Sequence, residues 1–133
     1  MVGIVVATHA DMSQALVNAA EMILGSLTHV EAITVNREDD VDKIRKRFAE
    51  AVDRVGEAGG GVLILTDLFG GTPSNIGFSF LDSGKVEILT GVNLPMLLRA
   101  FGNRSDLSLA EIAADLKNHA RNSIMVASEV LSG

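Results

Sequence analysis

The chain contains no cysteine, no tryptophan and no tyrosine, and only two prolines among 133 residues. The absence of cysteine excludes disulfides, thiolate metal sites and a cysteine nucleophile, so any chemistry must rest on oxygen and nitrogen; it fits a reducing compartment. No apolar stretch approaches the roughly 20 residues that span a bilayer, and no basic segment precedes the short run GIVVAT. A soluble cytoplasmic protein without membrane insertion is expected. Positive charge is also short: the net charge is −6 and the pI near 4.9. Such a surface repels a phosphate backbone, and only phenylalanine rings remain to stack on bases, which argues against nucleic-acid binding. What is present, 47% apolar and 21% charged residues, suffices for one core and one domain over 1–133.

Short β-branched runs alternate with segments of helical period, without a linker, repeat or low-complexity stretch. Val2 to Ala7 reads as a buried strand. Asp11 then caps a helix, with Gln14 placed as in a capping box and a stop at Gly25. Val30 to Val35 is the second strand. Asp39 or Asp40 precedes a helix with Val41, Ile44, Phe48, Val52 and Val55 on one face, broken at Gly59 to Gly61. Val62 to Thr66 is the third and most apolar strand. Pro73 suits the first turn of a short helix through Leu81, and Val86 to Thr90 is the fourth strand. Pro95 opens another short helix, and Ser108 with Glu111 forms a capping box for a helix to about Arg121. Ser123 to Val130 remains as a last strand.

Four β-α units in succession imply an α/β fold, a doubly wound and mainly parallel sheet with helices on both faces. In the strand order 2-1-3-4 the loops after strands 1 and 3 diverge to opposite faces and open a crevice. The first loop brings His9. The second is DLFGGT, with Asp67, Gly70, Gly71 and Thr72. Adjacent strands lie about 4.8 Å apart, so His9 and Asp67 can hydrogen bond. An aspartate holding one imidazole nitrogen leaves the lone pair of the other exposed as a nucleophile or base. Gly70 and Gly71 let backbone N–H groups approach an anion, the following helix start adds donors, and Thr72 adds a hydroxyl. Together they suit a phosphoryl group on His9, held without lysine, arginine, metal or cofactor.

GIVVATHADMSQAL, AEMILG, LTDLFGGTPSN and TGVNLPMLL, in that order, make the chain resemble the IIA phosphocarrier domain of the mannose family of the bacterial sugar phosphotransferase system. The resemblance covers nearly the whole chain. It implies that His9 takes a phosphoryl group from the phosphohistidine of the carrier HPr and passes it to a IIB partner, that Asp67 orients the ring, and that Thr72 touches the phosphoryl group. It further implies a homodimer in which the antiparallel edge strand, here Ser123 to Val130, comes from the partner subunit.

Other readings stay open on the residues alone. Asp67 at the end of strand 3 also suits a receiver-like domain phosphorylated on aspartate, although the acidic pair after strand 1 and a lysine beyond Lys117 are missing. A hydrolase would want G-x-S-x-G, which is absent. The dihydroxyacetone kinase phosphodonor domain is a related variant, and a stand-alone regulatory protein would use the same His9. His29 and His119 have no second ligand at a metal-like spacing and read as surface residues. Lys43, Arg45, Lys46 and Arg47 read as the solvated face of a helix, and Phe69, Met96 and Leu97 as core beside the crevice.

Overall fold

The computed structural model describes residues 1–132. Four strands, β1 (Gly3–His9), β2 (Val30–Val35), β3 (Val62–Thr66) and β4 (Val86–Thr90), form one parallel sheet in the order β2-β1-β3-β4. Between and after them run α1 (Met12–Leu24), α2 (Val41–Gly56), α3 (Thr72–Phe78), α4 (Leu94–Asn103), α5 (Leu109–Asn122) and α6 (Ala127–Leu131). No helix among the described residues is long and apolar enough to cross a membrane.

The two central strands are apolar on both sides, as a sheet covered on both faces requires. Period-two alternation divides them: Ile4 and Val6 of β1 with Leu63 and Leu65 of β3 pack under α1, α4 and α5, while Val5 and Ala7 with Val62 and Ile64 pack under α2 and α3. α1 and α3 therefore leave neighbouring strands toward opposite faces, and the chain is split open where β1 and β3 end. On the second face Phe48 is fully buried and stacks on Phe80 with ring centroids 5.9 Å apart.

Several local details differ from the sequence-based expectation. β1 continues through His9, so the histidine is the last strand residue rather than part of the loop. Asp11 makes no side-chain cap, and Gln14 bonds Asn18 instead. The start of α1 is held by Thr8, whose Oγ1 accepts from Ser13 N at 2.7 Å; Thr8 lies buried behind it, whereas Asp11 turns to solvent. α2 is capped by Asp40, while Asp39 accepts from Asn36 N. α3 ends at Phe78, short of Leu81, because the N–H groups of Ser79, Phe80 and Leu81 turn to i−3 carbonyls. The capping box of Ser108 and Glu111 is present on both sides. Met96 and Leu97 are core, but Phe69 is 75% exposed and is not.

The antiparallel C-terminal edge strand is not there. After α5 the chain runs irregularly from Ser123 to Val126 and closes in the single-turn helix α6. A strand needs a neighbour to take its N–H and C=O groups. Within this one chain the segment finds none and bonds locally, Val130 N to Val126 O at 3.2 Å and Ser132 N to Ser128 O at 3.1 Å. Its apolar residues Ile124, Met125, Val126, Val130 and Leu131 are left exposed.

Phe48 ties α2 to the sheet face beneath the His9 crevice. Phe48→Ala is expected to lower the unfolding free energy by about 3–5 kcal/mol, measured by denaturant titration. A loss below about 1 kcal/mol shows that this face closes around the cavity.

Candidate functional site

β1 and β3 run side by side with Ala7 opposite Thr66, so His9 and Asp67 emerge together from the carboxyl edge of the sheet. One carboxylate oxygen of Asp67, Oδ2, lies 2.8 Å from His9 Nδ1 and also accepts the backbone N–H of His9 at 3.0 Å. The other, Oδ1, accepts Leu68 N at 3.0 Å. Burial alone would push the Asp67 carboxyl up. The hydrogen bonds from the ring and backbone of His9, the attraction of the ring when it is protonated and the N–H of Asp67 itself together outweigh this and hold the group below the usual carboxylate range. An ionised carboxylate only accepts, so His9 Nδ1 carries the proton and Nε2 presents a lone pair. The ring is 48% exposed, whereas the Asp67 side chain is 9% exposed with both oxygens engaged. This favours the imidazole over the carboxylate as the nucleophile and speaks against the receiver-like alternative.

The loop after β3 fits around that ring. At Gly71 an added Cβ would stand 2.6 Å from His9 Cε1 and 3.1 Å from Nε2, so the bare backbone is what allows the imidazole to lie against it. Gly70 serves differently: its φ of +91° lies in the left-handed region, and a Cβ there would meet open space. Asn75 Nδ2 reaches the Gly70 carbonyl at 3.4 Å, and Asn75 N bonds Gly71 O at 2.9 Å, pinning the turn to α3. Among the described residues none accepts from the backbone N–H groups of Gly70, Gly71 or Thr72. These donors stand free for an anion. Ala10, which follows His9, takes a φ of +51°, an uncommon conformation for a residue with a side chain, and bends the chain sharply away from the ring.

Thr72 and His9 share a pocket of about 490 Å³ with Val35, Asn36, Arg37, Asp39 and the apolar Val41 and Ile44. All five residues expected at the site thus fall on one loop-and-strand edge. Asp67 bonds His9, Gly71 lies against the ring, Thr72 shares the pocket, and Gly70 shapes the turn. Sequence reasoning missed Arg37, a cationic residue that lines the pocket where no cation was expected. The strand order carried the signal, because Val35 is the register partner of His9 and Arg37 follows two residues later. It also missed four buried hydroxyls. Thr8 and Thr66 immediately precede His9 and Asp67, and each bonds a serine of the next helix, Ser13 and Ser74.

The remaining polar residues lie elsewhere. His29 and His119 are half-buried and neither lines the His9 pocket, and no group of three or more His, Cys, Asp or Glu among the described residues could hold a metal ion. On α2, Arg47 bonds Asp39 and the Thr34 carbonyl, Lys46 faces Glu50 and Arg45 faces Asp42, as on a solvated helix face.

An imidazole held by a carboxylate, beside free backbone donors at the switch point of a doubly wound sheet, is suited to receiving an anionic group. Comparison with known proteins places it further. The family model described as the fructose IIA component of the phosphotransferase system, EIIA-man, matches residues 3–117. The fructose-specific EIIA component of Bacillus subtilis is 30% identical over 132 residues, 98% of this chain and 90% of that protein. The mannose-specific EIIAB component of Escherichia coli K12 is 29% identical over 106 residues, 79% of this chain but 32% of the longer relative. Among solved structures, the IIA protein associated with the fucose utilization operon of Streptococcus pneumoniae superposes with a TM-score of 0.85 at 30% identity, covering 98% of this chain and 96% of that one. The chain belongs to the mannose-type IIA family of the bacterial sugar phosphotransferase system, and its role is that of a phosphocarrier.

The two glycines separate rate from stability. Gly71→Ala is expected to displace the His9 ring and slow phosphorylation by about 10²-fold, measured as the initial rate of label uptake. Gly70→Ala strains only the backbone and should cost about 1–2 kcal/mol of stability at a far smaller loss of rate. Equal rate losses in both variants would refute the packing of Gly71 against the ring.

Proposed function

We propose that His9 Nε2 accepts the phosphoryl group from the phosphohistidine of HPr and passes it to a IIB component, forming a transient phosphohistidine. The observation that carries this is the 2.8 Å contact between His9 Nδ1 and Asp67 Oδ2. In the transfer the Nε2 lone pair forms a bond to phosphorus while the P–N bond of the donor breaks, and the electron pair leaves with the donor nitrogen. No proton has to be removed from Nε2. The ring gains positive charge as the new bond forms, and the Asp67 carboxylate stabilises it. The free N–H groups of Gly70, Gly71 and Thr72 would receive the phosphoryl oxygens. Bonds of the same type are exchanged on both sides, so donors of modest strength favour a group that can leave again.

A homodimer is part of the same proposal. β4 is the last strand in the sheet order, its outer edge is unpaired, and a groove beside it is lined by Leu89, Thr90, Met96, Ala120 and Ile124. The C-terminal segment of a second copy, apolar and exposed in the single chain, would complete the sheet there. Sedimentation at micromolar concentration should give a dimer, and deletion of residues 124–132 a monomer. A full chain that stays monomeric at high micromolar concentration rules this out.

The transfer reading is tested by chemistry at the bond. Phosphoenolpyruvate with enzyme I and HPr should place one phosphoryl group per chain, stable in alkali and labile in acid, and His9→Ala should abolish it. Asp67→Asn presents an amide N–H₂ to the ring and favours the wrong tautomer. About 10- to 10³-fold slower phosphorylation with little change in thermal stability is expected. Alkali-labile label, or label that persists in His9→Ala, overturns the assignment of His9. The fructose-specific and mannose-specific relatives are named as components of sugar phosphotransferase systems, which favours phosphoryl transfer over a purely regulatory role.

A further inference from the structure

The Asp67 carboxylate bonds one side chain, that of His9, so its own position is set by the backbone on either side of it. That backbone is gripped by Ser74. The side chain lies in the first turn of α3, fully buried, with Oγ 2.6 Å from Thr66 Oγ1 and 2.5 Å from the Leu68 carbonyl oxygen. A carbonyl only accepts, so the single hydroxyl proton of Ser74 goes to Leu68, and Ser74 Oγ in turn accepts the proton of Thr66. The direction of the chain is thereby fixed: Thr66 hydroxyl to Ser74 hydroxyl to Leu68 carbonyl. Thr66 and Leu68 are the two neighbours of Asp67, and the two hydrogen bonds close a clasp across it. The same stretch of chain carries Gly71, which packs against the imidazole. Ser74 thus couples the residue that orients the ring to the loop that surrounds it.

We propose that Ser74 is a positioning residue for phosphoryl transfer, acting through Asp67 to hold His9 in its Nδ1–H tautomer. The proposal rests on the reading of His9 as the phosphoryl acceptor. Loss of the hydroxyl orphans the Thr66 donor and the Leu68 acceptor together, inside a site with no water-exposed alternative at Ser74. The Leu68 carbonyl is then free to turn, and the Asp67 backbone turns with it. A small displacement of an orienting group is enough to cost rate without removing any contact to the substrate.

The test uses the full chain with Ser74→Ala and, as a volume-conserving variant, Ser74→Cys, which exchanges the hydroxyl for a weak donor. Phosphorylation by phospho-HPr should show kcat reduced about 10- to 100-fold in Ser74→Ala with KM changed less than about threefold. Ser74→Cys should lie between it and the parent. In ¹⁵N spectra of the unphosphorylated protein, the His9 Nδ1–H signature should weaken in Ser74→Ala and an Nε2–H tautomer should appear. Parental kcat, or a reduced kcat with the ring signature unchanged, overturns the proposal, even where the melting temperature falls. If Ser74→Ala does not fold, Ser74→Cys is judged by the same outcomes. The spectra require no phosphoryl donor, so failure of the clasp is distinguishable from failure of His9 as acceptor.

Discussion

The contact between His9 Nδ1 and Asp67 Oδ2 joins residues 58 positions apart and exists because β1 and β3 are parallel neighbours. Everything at the site is referred to that bond. It sets the tautomer, and the tautomer decides that the free lone pair is on Nε2. Nε2 faces the loop in which Gly71 leaves room for the ring. The carboxylate is stabilised in its ionised form by the groups it holds, and an ionised carboxylate is what an imidazole taking on positive charge would require. The fold contributes one essential condition: helices α1 and α3 depart to opposite faces, so the space above the couple stays open.

The electrostatics of the crevice suit a carrier better than an enzyme that must force a reaction. The donors near an anion at the ring are backbone N–H groups and the Thr72 hydroxyl, with the exposed Arg37 on the pocket wall. Strong binding of the phosphoryl group would lower the free energy of the loaded state and slow its discharge. Rigidity around the couple matters more than donor strength. It comes from hydroxyls buried behind the strand ends: Thr8 at the start of α1 and Thr66 with Ser74 at the start of α3.

The C-terminal segment illustrates a different constraint. Its β-branched and apolar content is compatible with a strand, but a strand is a property of a pair. Alone, Ser123 to Val130 makes only local backbone bonds, such as Glu129 N and Val130 N to Val126 O, and leaves its apolar side chains in water, while the outer edge of β4 stays unpaired. The two deficiencies are complementary, one a surplus of apolar segment and the other a surplus of open edge.

The sequence by itself determined the four strands and the order of elements, and it placed His9 and the Asp67 to Thr72 loop at neighbouring strand ends, because each depends on local pattern. An apolar run as short as VLILT, bounded by glycines before and a Gly-Gly-Thr-Pro loop after, reads as a buried strand, and the placing of His9 and Asp67 at strand ends follows from the alternation of β and α segments. What only the tertiary structure decided were contacts between distant residues and between competing partners. The start of α1 is held by Thr8 and not by the nearer Asp11, since burial favours the hydroxyl and leaves the carboxylate in solvent. The Ser74 clasp, the presence of Arg37 in the pocket and the close approach of Gly71 to His9 required the register of neighbouring strands, which no local periodicity encodes. The fate of the last segment lay beyond local pattern for the same reason: the choice between strand and helix depends on whether another backbone is present to receive its hydrogen bonds.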